Sequence, residues 1–194
     1  LDLDLAVLIN ESISLFGDKL VNENTAVNVL DFIMGRFRAF YQEQGVAVNV
    51  IQAVLAKKPS APLDFDKRIK AVSFFGELPE AETLAAANKR VGNILAKFDG
   101  QLYNGFKAEL ATEEAEQDLA TIFNAVSLKV APLMADKNYQ AALNELAQLK
   151  TPIDTFFDCV MVMSDDEAVK INRLTLLNEI RESFFAIADI SLLQ

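Results

Sequence analysis

Hydrophobic residues recur along this chain at intervals of three and four, the spacing of a helix face, and nowhere alternate long enough to build a strand ladder. The pattern predicts a first helix over Asp4–Phe16, closed by Gly17, and a second from Asn22 or Asn24 to about Gln44, stopped by Gly45. In the second, Val29, Leu30, Ile33, Phe37, Phe40 and Tyr41 form one apolar stripe. Phe32 and Gly35 lie opposite, so this helix is expected to be buried on two faces. A short helix over Asn49–Lys57 precedes the connector Lys58-Pro59-Ser60-Ala61-Pro62, which its two prolines stiffen. Asp64 is the expected cap of a helix running to about Phe75, and Pro79 fits the first turn of a helix over residues 80–98. The acidic stretch Glu109–Asp118 leads into a helix reaching about Ala135, and residues 138–149 form another. Thr151 reads as an N-cap with Pro152 at the first helical position. Ser164-Asp165-Asp166-Glu167 reads as a capping box with Ser164 at the N-cap, opening a last helix to about Ile187; Val160–Met163 is the apolar joint before it. With no internal repeat and only seven Gly and five Pro, the expected fold is an all-α bundle of about eight helices.

One helix carries a pattern of a different kind. Over residues 80–98, Leu84, Ala87, Val91, Ile94, Leu95 and Phe98 share a side, while Lys89, Arg90, Asn93 and Lys97 share the other with no acid among them. Lys89, Asn93 and Lys97 follow at i, i+4 and i+8, a rise of about 6 Å per step and near the spacing of phosphates along a single strand. Such a strip suits an anionic partner, and a phosphate chain is the first candidate; a plain solvated face is the competing reading.

Composition narrows the chemistry. In 194 residues, 52% of them hydrophobic, there are no histidines and one cysteine. This excludes a disulfide within the chain, Cys/His zinc sites and any imidazole base. Cys159, beside Phe157, Val160 and Met161, is expected to be a buried structural thiol. Asp165-Asp166 sits where a helix dipole favours acids, and no glycine-rich phosphate loop or nucleophile motif is present. Neither a catalytic nor a metal-binding residue is therefore assigned. No apolar run approaches a membrane span, no signal-peptide pattern opens the chain, and the acidic start looks like a cut inside a longer protein. The expected location is the cytoplasm.

The net charge is −10, yet residues 36–97 hold ten Lys/Arg against six acids, leaving the remainder at −14. A local basic zone on an acidic body permits focused binding of a polyanion and disfavours indiscriminate binding, DNA included. Within that zone Arg36 and Arg38 flank Phe37, a composition used for single-stranded RNA, although Phe37, Phe40 and Tyr41 are expected in the core. Lys57-Lys58 and Lys67-Arg68-Ile69-Lys70 bracket the proline connector as electrostatic support. In the last helix Asn172 and Arg173 fall on or beside the apolar face and need partners. Asp158, Asp165, Asp166 or the carbonyls of Val160–Met163 are the candidates for a structural polar network.

Several segments together resemble a known family. Phe32-Ile33-Met34-Gly35-Arg36-Phe37-Arg38, Asp64-Phe65-Asp66-Lys67-Arg68, Ala86-Ala87-Asn88-Lys89-Arg90-Val91-Gly92-Asn93-Ile94-Leu95 and Phe156-Phe157-Asp158-Cys159-Val160-Met161-Val162-Met163 are similar, in order, to the C-terminal part of the bacterial glycyl-tRNA synthetase β subunit. Asn172-Arg173-Leu174 and the closing Ala188-Asp189-Ile190-Ser191-Leu192-Leu193-Gln194 resemble that subunit's end. The last helix is also similar to the end of the helical DALR anticodon-binding domain of arginyl-tRNA synthetases.

The resemblance implies a DALR-like bundle over residues 59–194. Extra helices over 1–58 would pack on it, unless 1–194 is one continuous domain. It further implies a module that grips the anticodon arm of a glycine-accepting tRNA within an α2β2 ligase whose α subunit binds ATP and Mg2+. On that basis Lys89, Arg90, Asn93 and Lys97 become the expected anticodon-loop contacts, with Arg36, Arg38 and Arg68 in support. Asn88, Asn93, an acid or a backbone carbonyl would meet the amino groups of the two shared anticodon cytosines. The competing function is a helical assembly domain that works through exposed apolar surface such as Phe32 or through the acidic half of the chain.

Overall fold

The computed structural model describes residues 3–194, and its regular structure is helical throughout. Nine α-helices follow in order among the described residues: α1 (Leu5–Phe16), α2 (Thr25–Glu43), α3 (Val48–Leu55), α4 (Pro62–Gly76), α5 (Ala81–Leu95), α6 (Glu114–Ala135), α7 (Tyr139–Ala147), α8 (Lys150–Cys159) and α9 (Glu167–Phe185). Short 3-10 turns span Gly17–Lys19, Ala108–Leu110 and Ile190–Leu193. The all-α expectation holds, with the short α3 and α8 as separate elements.

Capping decides where several helices begin, and differs from the sequence expectation at four of them. Proline at the first position starts α4 at Pro62, so Asp64 lies inside the first turn and is free to pair with Arg68. Pro79 falls in the turn before α5, which starts at Ala81. Leu149 already has helical dihedrals and its N–H bonds to the Leu146 carbonyl, so α8 starts at Lys150 and Thr151 caps nothing. At α9 the N-cap is Asp166: its carboxylate accepts from the N–H groups of Ala168 (2.9 Å) and Val169 (3.2 Å). Ser164 merely accepts from the Asp166 N–H at 3.2 Å. A charged acceptor at the positive helix end displaces the neutral one.

Phenylalanines tie the core together. Phe65, Phe75, Phe156 and Phe184 are fully buried, each contributing roughly 1.5–3 kcal/mol by burial. Phe65 of α4 takes Phe37 and Tyr41 of α2 at ring-centroid distances of 5.8 and 5.3 Å, and Phe75 meets Phe184 of α9 at 6.3 Å. Only one face of α2 is engaged in this way. Phe32 is 64% exposed and Gly35 is exposed, so the expected burial on two faces is not found. α1 packs along α2 and buries no residue of its own.

A latch around Arg68 closes α9 onto α4. Its guanidinium donates to Asp64 (2.7 Å), to the carbonyls of Ala186 (2.8 Å) and Ile187 (2.6 Å), and to the Tyr139 hydroxyl (3.0 Å), whose ring lies 4.3 Å away. Tyr139 in turn donates to Asp64. Burial and that hydrogen bond push the Tyr139 phenol up to about 12. Burial also works to raise Asp64, but the bonds from Tyr139 and Arg68 and the Arg68 charge prevail and hold its carboxyl below the usual range. The final turn, Ile190–Leu193, sits between α3 and α5; the Asp189 N–H donates to the Ala53 carbonyl at 2.9 Å and Asn49 Nδ2 to the Leu193 carbonyl at 3.1 Å.

α6 corrects the expectation that no segment reaches spanning length. Its 22 residues are long and apolar enough, by length and composition, to cross a membrane. Here it lies along α7 and α8, with Leu119, Val126 and Val130 buried and Ile122 and Leu128 exposed.

Candidate nucleic-acid interface

α5 is built from strong helix formers, Ala85-Ala86-Ala87 and Leu84, and buries Ala81, Leu84, Ala85, Asn88 and Val91 against α9 and the final turn. This packing orients the opposite face outward. Lys89, Arg90, Asn93 and Lys97 are all exposed and, with Ala86 and Ile94, line one shallow concavity of about 340 Å³. The helix ends two residues before Lys97. A tightened turn, with Lys97 N–H bonded to the Ile94 carbonyl at 3.1 Å, keeps Lys97 beside the others.

Charge is uncompensated in this concavity. Among the described residues no ion pair engages Lys89, Arg90 or Lys97, whereas Arg68, Lys70, Lys129, Lys150, Lys170 and Arg173 are each paired with a carboxylate. Arg90 is held from behind: its guanidinium stands 4.2 Å over the ring of Phe157 in α8. A cation so restrained loses less conformational freedom on meeting a phosphate, and its fork stays available.

The remaining expected contacts lie elsewhere. Arg36 and Arg38 are exposed on α2, Arg36 5.2 Å over the Phe32 ring, and neither lines the concavity. Arg68 does not face outward at all; the Asp64, Tyr139 and α9 carbonyl bonds occupy its guanidinium, which makes it a structural latch. Asn88 is buried at 5% exposure and donates to the Leu84 carbonyl at 3.0 Å, so it cannot meet a base.

The polar residues of α9 form the structural network, with partners partly different from those expected. Asn172 is sealed from solvent and clasps the backbone of Lys107, accepting from its N–H (2.8 Å) and donating to its carbonyl (2.9 Å). Thr175 accepts from the Tyr103 N–H at 3.1 Å. Glu179 accepts from the Phe106 N–H, which only partly offsets the upward push that burial gives its carboxyl. One line of α9 thereby fastens the loop after α5. Arg173 donates to the Met161 carbonyl (2.7 Å), Thr112 Oγ1 (2.9 Å) and Glu116, with which it forms a buried ion pair. Asp158 is exposed at the end of α8 and takes no part; Cys159 beside it is exposed, not buried as expected. Glu116 was legible in principle, because it stands in phase with the buried Leu119, Val126 and Val130 of α6. A larger cavity of about 960 Å³ between α6 and α9, bordered by Phe106, Phe123, Glu179 and Ser183, contains none of the strip residues.

Comparison with known proteins bears on this surface. Residues 84–190 match the family model of the DALR anticodon binding domain, a stretch that takes in all of the α5 strip. Over its full length the chain is 84% identical to the glycine–tRNA ligase beta subunit of Colwellia psychrerythraea, 58% to that of Aliivibrio fischeri and 56% to that of Vibrio parahaemolyticus. It spans 28% of the length of each of these relatives.

Proposed function

The chain belongs to the DALR anticodon-binding domain family, and from that premise we propose that it serves as the tRNA-gripping part of a glycine–tRNA ligase β subunit. The anticodon arm of a glycine-accepting tRNA lies against α5, with Lys89, Arg90 and Lys97 on phosphates and Asn93 within reach of a base. The observation that carries this reading is the concavity in which these four exposed side chains converge with no acid paired to them, inside the stretch matched by the anticodon-binding model. An acidic body around a small basic surface keeps binding selective.

In this reading the attachment of glycine to tRNA, with ATP and Mg2+, takes place on a separate α subunit of an α2β2 assembly in the cytoplasm. Within this chain no three His, Cys, Asp or Glu side chains converge to hold a metal among the described residues. The module's part is to place the tRNA.

Substitution tests the proposal directly. Lys89→Ala is expected to weaken tRNA binding and to flatten the salt dependence by about 0.7 in the log–log slope, the loss of one single-strand phosphate contact. Arg90→Glu should weaken binding further while far-UV helicity stays native. Unchanged affinity in both variants would remove the site from α5.

A second reading rests on the α1–α2 hairpin, which exposes Leu15 (88%), Val21 (93%) and Phe32 (64%). Apolar surface of this kind suits assembly with another subunit or domain. It predicts self-association or capture of the α subunit in sedimentation, with no response to tRNA.

A further inference from the structure

The cationic surface does not end at the edge of α5. Gly92 lies one helical turn from Lys89, where i and i+3 positions are neighbours on the helix surface. Arg181 of α9 fills the space its missing side chain leaves: a Cβ at residue 92 would stand 3.4 Å from Arg181 Nε and 4.0 Å from Nη2. The guanidinium therefore rests against the α5 backbone, beside the strip. It also lies 5.5 Å from the ring centroid of Phe185, and Lys57, in the turn after α3, holds its ammonium 4.3 Å from the same centroid. The two cations are thus no further apart than the sum of those distances, a span that two successive phosphates can cover.

Little on the protein neutralises them. Lys57 has no ion pair among the described residues, and Arg181 meets only its chain neighbour Glu182, at 3.0 Å on an exposed side chain. Gathering Arg181 and Lys57 around the Phe185 ring raises a mutual repulsion that a polyanion relieves. The end of α9 attracts cations through its free carbonyls. Those of Ala186 and Ile187, however, are already occupied by Arg68.

We propose that Arg181 and Lys57, seated on Phe185 and admitted by Gly92, form a second phosphate-binding subsite continuous with the α5 strip. The RNA backbone then crosses from α5 over α9 to the end of α3. This rests on the reading of α5 as the RNA-gripping face.

The test measures binding of the full 194-residue chain to a glycine-accepting tRNA transcript across a salt series, for Lys57→Ala, Arg181→Ala, Arg181→Lys, Lys89→Ala and Lys129→Ala. Lys57→Ala and Arg181→Ala are each expected to weaken binding about three- to tenfold and to lower the salt slope by about 0.7–0.9. Arg181→Lys should keep the slope, and Lys129→Ala, on α6 and paired with Glu145, should change nothing. Full affinity in Lys57→Ala and Arg181→Ala, with loss in Lys89→Ala, would overturn the subsite and leave the α5 reading standing. Weaker binding at an unchanged slope would assign the pair to packing and overturn it as well. Loss in Lys57→Ala and Arg181→Ala with none in Lys89→Ala would displace the strip and overturn the proposal as a continuation of it. A wild-type chain that binds no tRNA at low salt would overturn both.

Discussion

Glu116 has no solvent exposure, and its only ion-pair partner among the described residues is Arg173, itself 4% exposed. Removing the arginine leaves a buried charge uncompensated, so Arg173→Ala should lower unfolding free energy by about 3–5 kcal/mol. The double variant Glu116→Leu/Arg173→Met, which removes both charges, should recover most of it; chemical denaturation midpoints of the two proteins decide the point. The Arg68 latch predicts a pH response at both ends of the scale. Asp64 of the latch, and outside it Asp66, which accepts from the Tyr41 hydroxyl at 2.9 Å and pairs with Lys70, are held below the ordinary 3.8 in the folded chain, so the unfolded chain binds more protons in acid. The stability they provide is complete above that value and is lost as pH falls through the folded values. Tyr139 is shifted the opposite way, from 10.0 to about 12, so its share is complete below 10 and disappears between 10 and 12. Tyr139→Phe should remove much of that alkaline loss in thermal melts at stepped pH. Of these residues Arg173 and Asn172 stood out in the sequence as polar groups on an apolar face. Of their partners, the Met161 carbonyl lies in the Val160–Met163 stretch that the sequence offered, whereas Glu116 and Lys107 lie 57 and 65 residues away and tertiary packing brings them in.

Helices were legible because a buried stripe repeats every three to four residues, and that signal survives whatever the stripe packs against. Helix starts were less so. Asp4 and Gly45 mark ends as expected, Gly45 with a φ of 82° that glycine adopts without strain. Around Ser164-Asp165-Asp166, three residues are competent caps, and the choice fell to the one whose carboxylate reaches two N–H groups. Asp166→Ala should accordingly cost about 1 kcal/mol of stability and Ser164→Ala clearly less; the reverse order in thermal unfolding would restore Ser164 as the cap. The faces of α2 were harder to read than its extent. Phe32 looks like a core residue by composition, yet the aromatic contacts with α4 are made by Phe37 and Tyr41, on the other side. Sequence pattern gives a side chain's position around a helix, and only the neighbouring elements determine which sectors are covered. The same holds for the candidate site: the α5 strip was visible as a run of cations without acids, whereas Arg181 and Phe185 share α9 and Lys57 lies in the turn after α3, and no local signal joins those two elements to α5.

At the scale of the whole molecule, burial is distributed unevenly. α1 buries none of its residues, while α9 buries nine and is fastened at both ends, by Arg173 and by the Arg68 latch. Amide hydrogen exchange should therefore be fastest in α1 and slowest in the centre of α9, with α3 protected because Ile51, Ala53 and Val54 have no exposure. Equal protection of α1 and α9 would mean that the hairpin is supported by contacts other than those described. Charge is also unevenly placed, with ten Lys/Arg against six acids over residues 36–97 in a chain of net charge −10, and the proposed function depends on that asymmetry. The measurement that tests it most directly is fluorescence-anisotropy binding of this chain to a glycine-accepting tRNA and to the same tRNA with its two shared anticodon cytosines replaced, each at two salt concentrations. Salt-sensitive binding that falls on replacement is the predicted result. Equal binding to both tRNAs, or none to either, would contradict anticodon recognition and leave assembly as the work of this domain.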